Sequence, residues 1–273
     1  MAIGRLNKKT MLRRREFFQL SVGLLAFGCQ RPGATSAKNL RFAVASDGHY
    51  GQPKTDFKLY HENIIKNLQK EHAARRLDFV VFNGDLFHDD VTFLPDVKRI
   101  FDSLGLPYYV TRGNHDHVTP EQWRATWGYD LNHAVEVGKN AILLADTSNI
   151  KGEYLCPDIP WIDRQLARLT KKENVFLFMH IPAKMWSEHG TECPELEKTL
   201  AKYPNLKAMF HGHDHAIDMG KTTSKPAFFD GHFGGSWGVN YRGYRIVETQ
   251  AENKCYTYQF NPDTQNKVNE QVF

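Results

Sequence analysis

Histidines, carboxylates and one amide fall into five short clusters along this chain: Asp47-Gly48-His49, Gly84-Asp85, Gly113-Asn114-His115-Asp116, His180 and Gly212-His213-Asp214-His215. Imidazole nitrogens and carboxylate or amide oxygens, with no thiolate among them, suit Mn, Fe, Zn or Mg rather than a soft ion. A carboxylate such as Asp85 can bridge two ions through its two oxygens. In extended backbone, residues i and i+2 share a face, so Asp47 with His49, and His213 with His215, are expected to reach one point from strand-like chain. The glycines before Asp85, Asn114 and His213 leave room for tight turns. A lone histidine after a strand is more often packed or exposed than a ligand. The signal here is five clusters in one repeating context.

That context is positional. Short apolar runs at residues 40–45, 78–82, 107–111, 141–145, 175–179 and 206–210 read as strands covered on both faces. Amphipathic stretches at 59–75, 96–104, 159–169 and 194–202 read as helices between them, the last with proline in its first turn. After about residue 225 the pieces at 227–229, 244–247 and 256–258 are shorter and strand-like. Each polar cluster follows one of the strands. Ligands of α/β sheets collect at the carboxyl ends of strands, so the five clusters are expected to converge.

The order Asp-x-His, Gly-Asp, Gly-Asn-His-Asp, His, Gly-His-x-His resembles the calcineurin-like metallophosphoesterase superfamily over about residues 41–216. The resemblance implies an α/β fold, a four-layer α/β/β/α sandwich with two central mixed β-sheets and a site for two divalent or trivalent metal ions at their edge. It places Asp47, His49, Asp85 and His215 around one ion and Asp85, Asn114, His180 and His213 around the other. His115 becomes the catalytic residue. Paired ions lower the pKa of a bound water to about 7. The hydroxide then attacks phosphorus while His115 protonates the leaving oxygen. Asp89 or Asp116 is expected to orient His115, and His232 to face the pocket from a later loop. His88, His117 and Asp214 lie beside motif residues, and Trp186, Trp237 and Tyr241 are ring surfaces a substrate could stack on.

Residues 1–37 stand apart. They hold seven of the 35 basic residues and one of the 31 acidic ones, leaving 28 basic and 30 acidic in the remainder. The net +4 therefore belongs to this segment. Arg14-Arg15-Glu16-Phe17-Phe18, followed by an apolar run from Leu20 to Phe27, resembles a twin-arginine export signal. Two outcomes are open: cleavage after Thr35-Ser36-Ala37, or lipidation of Cys29 as a membrane anchor. The expected location is the periplasm, or a membrane surface facing it, with residues 38–273 forming a single phosphoesterase domain. The body is slightly acidic, so no broad attraction for nucleic acid is expected. Beyond Cys29 the cysteines are Cys156, Cys193 and Cys255, an odd number that requires a free thiol or an intermolecular bond.

The expected substrate is a small phosphomonoester or phosphodiester, such as a nucleotide or cyclic nucleotide. Two alternatives compete with it. Asn83-Gly84-Asp85-Leu86-Phe87-His88 resembles the second motif of repair exonucleases, against which the leader and the charge of the body argue. A catalytically silent metal-binding surface protein would have no need of His115. The purple acid phosphatase branch is disfavoured, because its chromophoric tyrosine would follow the second-motif aspartate closely, where His88 and Asp89 stand.

Overall fold

Strands covered on both faces need two different apolar sets, and alternation along the chain supplies them. In the first strand Phe42 and Val44 point one way, Ala43 and Ala45 the other, and all four are buried. The computed structural model describes residues 39–221 and 224–273. The export-signal assignment, with Cys29, lies outside the described residues.

In chain order the first elements are β1 (Arg41–Ala45), α1 (Phe57–Ala74), β2 (Phe79–Asn83), α2 (Leu94–Asp102), β3 (Tyr108–Thr111), α3 (Pro120–Trp127), β4 (His133–Val137), β5 (Asn140–Leu144) and α4 (Ile159–Arg168). There follow β6 (Asn174–Phe178), α5 (Pro194–Leu200), β7 (Leu206–His211), β8 (Met219–Lys221), β9 (Pro226–Phe229), β10 (Tyr244–Thr249), β11 (Cys255–Asn261) and β12 (Asn266–Val272). They build two six-stranded sheets, ordered β12-β11-β10-β1-β2-β3 and β4-β5-β6-β7-β9-β8. The pairs β1–β2–β3 and β5–β6–β7–β9 are parallel, and the outer strands are antiparallel, so both sheets are mixed.

Three apolar layers define the sandwich. Ala43, Val80 and Phe82 pack with Ile64, Leu68, Phe101 and Trp123 from the helices outside the first sheet. Phe42, Phe79, Phe176, Phe178, Phe210 and Phe228 fill the space between the sheets. Leu143, Val175 and Leu177 meet Ile162, Leu166, Leu196 and Leu200 on the far side. Three interfaces make four layers, α/β/β/α, as the resemblance implies. In the middle layer Phe42 stacks on Phe79 at 4.9 Å and meets Phe210 of the opposite sheet edge-on at 6.1 Å. Truncating such a ring to alanine costs about 3–5 kcal/mol, so the sheets hold their edges in fixed relation.

Four elements are absent from the sequence expectation. Helix α3 begins with a full capping box, Thr119 accepting from Gln122 N–H and the Gln122 side chain returning to Thr119 N–H. Strands β4, β8 and β12 lie at or next to sheet edges and lack the long apolar runs that marked the others. Cys156 and Cys193 form a disulfide, and Cys255 is the free thiol the odd count requires, buried between the sheets.

Candidate metal centre

The ends of β1, β2, β3, β6 and β7 meet at one edge of the sandwich, three from the first sheet and two from the second. Main chain ties the ends of β1 and β2, and Asn83 reaches across to the second sheet. Asp47 N–H donates to Gly84 O at 3.1 Å, and His49 N–H to Asp85 O at 2.9 Å. The Asn83 amide donates across the gap to Phe210 O at 3.1 Å and accepts from the Thr111 hydroxyl at 2.8 Å.

Two triads result. Asp47, His49 and His215 present ligand atoms within 4.8 Å of one another, and so do Asp85, His180 and His213. Asp85 Oδ2 lies 3.1 Å from His180 Nε2 and 3.6 Å from His49 Nε2, between the triads. The other ring nitrogens of two ligands are committed: His180 Nδ1 donates to Asn83 O at 2.8 Å and His215 Nδ1 to Trp237 O at 2.9 Å. Those bonds leave each Nε2 free to ligate. Three buried donor atoms, His180 Nε2, His213 Nε2 and Asn114 Oδ1, have no hydrogen-bond partner. A buried polar atom without a partner costs about 1–3 kcal/mol. Two of them belong to the second triad and the third to the residue before His115, and a set of only N and O donors fits hard or borderline metal ions.

Electrostatics agree with that role. Burial alone would raise the Asp47 pKa, but the charges of His215 and His180 outweigh it and hold it down to about 2. Burial raises Asp85 too, and the charges of His180 and His49 pull it well below the usual carboxylate range. Burial brings His49 down to about 3 and His213 to about 4, keeping both neutral as ligands must be. Burial would also lower His180, yet Asp85 and Asp47 push it up to about 10.

The backbone reaches this arrangement differently from the extended geometry expected from the i, i+2 spacing. Asp47, His49, Asp85, His213 and His215 have φ of 59°, 45°, 49°, 70° and 53°, all left-handed. The side chains converge because the chain coils back at each ligand, not because alternate residues share a strand face. Such conformations cost about 1 kcal/mol or more each and persist only where surroundings enforce them. Glycine is needed here for space as much as for turning. A Cβ on Gly212 would stand 2.0 Å from Ser46 Oγ and 2.5 Å from Asp47 Oδ2. Gly212→Ala is therefore expected to lower Tm by roughly 2–12 °C, given an overpacking cost of about 1–3 kcal/mol, and to reduce bound metal. Elemental analysis and a thermal melt check this; two metals at wild-type Tm would contradict the close approach.

His115 stands at the mouth of the first triad, 5.0 Å from His49 and stacked on His88 at 4.7 Å. Its Nδ1 pairs with Asp89 Oδ1 at 2.7 Å. Of the two carboxylates expected to orient it, Asp89 has this place. Asp116 turns inward instead, accepting from Gly113 N–H at 2.8 Å and Phe87 N–H at 3.1 Å, so it braces the loop; burial, with the charge of Asp85, pushes its pKa up to about 7. His232 does not face the pocket. It is buried, both ring nitrogens meet the carbonyls of Gly234 and Val239, and its ring stacks behind His215 at 4.9 Å. His88 approaches closely, its Nδ1 3.1 Å from His49 Nδ1. His49, His88 and His115 form a third close group. Of the three ring surfaces, Trp237 covers the site, Trp186 packs on His211 and Phe229, and Tyr241 lines a separate polar hollow with Tyr60 and Arg242. Tyr154 and His189, which flank His213 at 4.7 and 5.9 Å, carry no motif of their own; pairing Cys156 with Cys193 is the signal that would have brought their loops together.

Two triads with one carboxylate between them, and a carboxylate-held histidine beside them, form a group that could hold metal ions. A family model for calcineurin-like phosphoesterases matches residues 40–216, and the chain belongs to that family of metal-dependent phosphoric ester hydrolases. It is 30% identical over 165 residues to a 3',5'-cyclic adenosine monophosphate phosphodiesterase, CpdA, of Pseudomonas aeruginosa, covering 56% of this chain and 59% of the relative. To human tartrate-resistant acid phosphatase type 5 it is 27% identical, covering 68% of this chain and 69% of the relative. The fold matches a dimetal phosphatase from Danio rerio with a TM-score of 0.66 at 13% identity, over 85% of this chain and 98% of that one.

Proposed function

We propose that this protein is an exported hydrolase of small phosphoesters, with phosphodiesters preferred over monoesters. The observation that carries the proposal is the coincidence of two buried ligand triads, with Asp85 Oδ2 between them, and the His115–Asp89 pair beside the first. Asp47, His49, Asp85 and His215 would hold one ion, and Asp85, Asn114, His180 and His213 the other. Bound there, the ions supply Lewis acidity toward phosphoryl oxygen and make water nucleophilic near neutral pH. The protein's own groups do the rest. Asp89 fixes Nδ1 of His115, so Nε2 can deliver a proton to the departing oxygen. His88 stacks on the same ring and keeps it over the cleft.

Diester preference has two supports. The guanidinium of Arg112, beside the third cluster, is committed to Asp146, Val118 O and Ser148 O and is not free to meet a phosphate. A dianionic monoester gains more from free cationic side chains than a monoanionic diester does. CpdA is also a diesterase by name. Export rests on the leader and on the Cys156–Cys193 disulfide, since such bonds persist in oxidising compartments. Protein lacking residues 1–37, reconstituted with Mn²⁺, Fe²⁺ or Zn²⁺, should hydrolyse bis(p-nitrophenyl) phosphate faster than p-nitrophenyl phosphate. The reverse order makes it a monoesterase, and inactivity with every metal removes the proposal.

A further inference from the structure

A phosphodiester held at a metal pair sends its two ester arms away in different directions, and each end of this site carries one exposed aromatic ring. Trp237 lies 4.3 Å from His215 at 15°, 4.7 Å from His49, and 6.5 Å from both His88 and His115. It is 42% exposed. At the other end Tyr154 stands perpendicular to His213 at 4.7 Å and is 39% exposed. His213 in turn is 5.4 Å from His180. One ring therefore borders the first triad and the other borders the second.

Both rings are exposed, yet neither sits on a loose loop. The Trp237 carbonyl accepts from His215 Nδ1, and Val239 N–H returns to His215 O at 3.2 Å. Phe233 and Gly234 N–H donate to Ser46 O and Asp47 O, each at 3.0 Å, fixing the start of the same segment. Tyr154 bridges Ser148, the next residue donates to Thr147 O at 2.9 Å, and Cys156 is bonded to Cys193. Cys193 is itself held through its N–H to Ala183 O. A fixed, half-open ring is a preorganised surface that a flat partner can cover without ordering the protein first.

We infer that Trp237 and Tyr154 are the two walls of the substrate cleft, and that the preferred substrate is a diester whose arms end in planar aromatic groups, aryl or nucleobase. Trp237 takes the leaving arm, because His115, the proton donor to that arm, stands at its end of the site. Tyr154 takes the retained arm. This rests on the phosphodiesterase proposal for the same site. Stacking of a base on an aromatic side chain is worth about tenfold or more in affinity.

Binding tests the walls without turnover. Diphenylphosphinate and dimethylphosphinate are tetrahedral monoanions with no ester bond, and calorimetry on the Mn²⁺-loaded protein compares them. Wild type should bind the diphenyl ion about 100-fold more tightly. Trp237→Ala and Tyr154→Ala should each lose about tenfold for it, changing little for the dimethyl ion, and Trp237→Phe and Tyr154→Phe should restore most of the loss. Metal content and dimethylphosphinate binding verify that each variant is folded. Equal affinity for the two ions in wild type, or alanine variants that weaken both alike, overturns the walls. With methyl p-nitrophenyl phosphate, whose only ring departs, Trp237→Ala should lower kcat/KM more than Tyr154→Ala; the opposite order overturns the assignment of arms. A protein that discriminates between the phosphinates but hydrolyses no diester keeps the walls and loses the proposed function. One that hydrolyses diesters without discriminating between the phosphinates does the reverse.

Discussion

His115→Ala is expected to lower kcat for an alkyl diester by about 10²–10⁴-fold while metal content stays at the wild-type level. The separation follows from the geometry. His115 contributes its backbone N–H to Asp85 Oδ1 at 2.8 Å, and alanine keeps that bond. Its ring meets Asp89, His88 and the edge of His49, and it is outside both metal triads. The loss should shrink as the leaving group becomes more acidic, because a nitrophenolate needs no proton to depart. Asp89→Asn should show a milder form of the same pattern, since the amide oxygen can still accept from Nδ1 but carries no charge to stabilise an imidazolium. Loss of both metals from His115→Ala, or an equal loss for alkyl and nitrophenyl leaving groups, would remove the acid role.

Asp85→Ala should have the opposite signature: metal content falls below one per chain and activity with it, toward background. Asp85 Oδ2 stands between His180 and His49, so its removal takes a donor from each triad. The damage extends further. Asp85 Oδ1 anchors the His115 turn, and the charge of Asp85 opposes the effect of burial on His180. Without it His180 loses its nearest counter-charge. Asp85→Asn separates charge from shape: it should retain the fold and the His115 turn yet bind metal weakly. Full occupancy of two metals in Asp85→Ala, measured by elemental analysis, would rule out the bridge.

The clusters that converge at the site were legible because each candidate ligand lies one to five residues past an apolar strand, and strand ends of an α/β sheet face one edge. Their backbone was not. Asp-Gly-His and His-Asp-His have the spacing of extended chain, and nothing in that spacing distinguishes it from two left-handed residues around a turn. Helix α3 has a local signature, for Thr119-Pro120-Glu121-Gln122 is a capping sequence. Strand β12, in contrast, is largely polar, with every residue partly or fully exposed; pairing with β11 makes it a strand, and pairing is not local information. The roles of His232 and Asp116 were beyond sequence for a similar reason. Both neighbour motif residues, but which way each side chain turns is decided by loops from elsewhere. Tyr154 needed a covalent partner 37 residues from its own cysteine.

The left-handed ligand residues also limit how this centre can change. Asp, Asn and His are the side chains most often found in left-handed backbone after glycine. They are also donors that hard and borderline ions accept. At Asp47, His49, Asp85, His213 and His215 the vocabulary of the chain and the vocabulary of the metal therefore coincide. Drift among these three residue types preserves both requirements and can retune which metal is held. A glutamate would keep the charge but add a methylene and fit the backbone less well, and a β-branched residue would fit neither. At these five positions, exchanges that suit both backbone and metal stay within a three-letter alphabet.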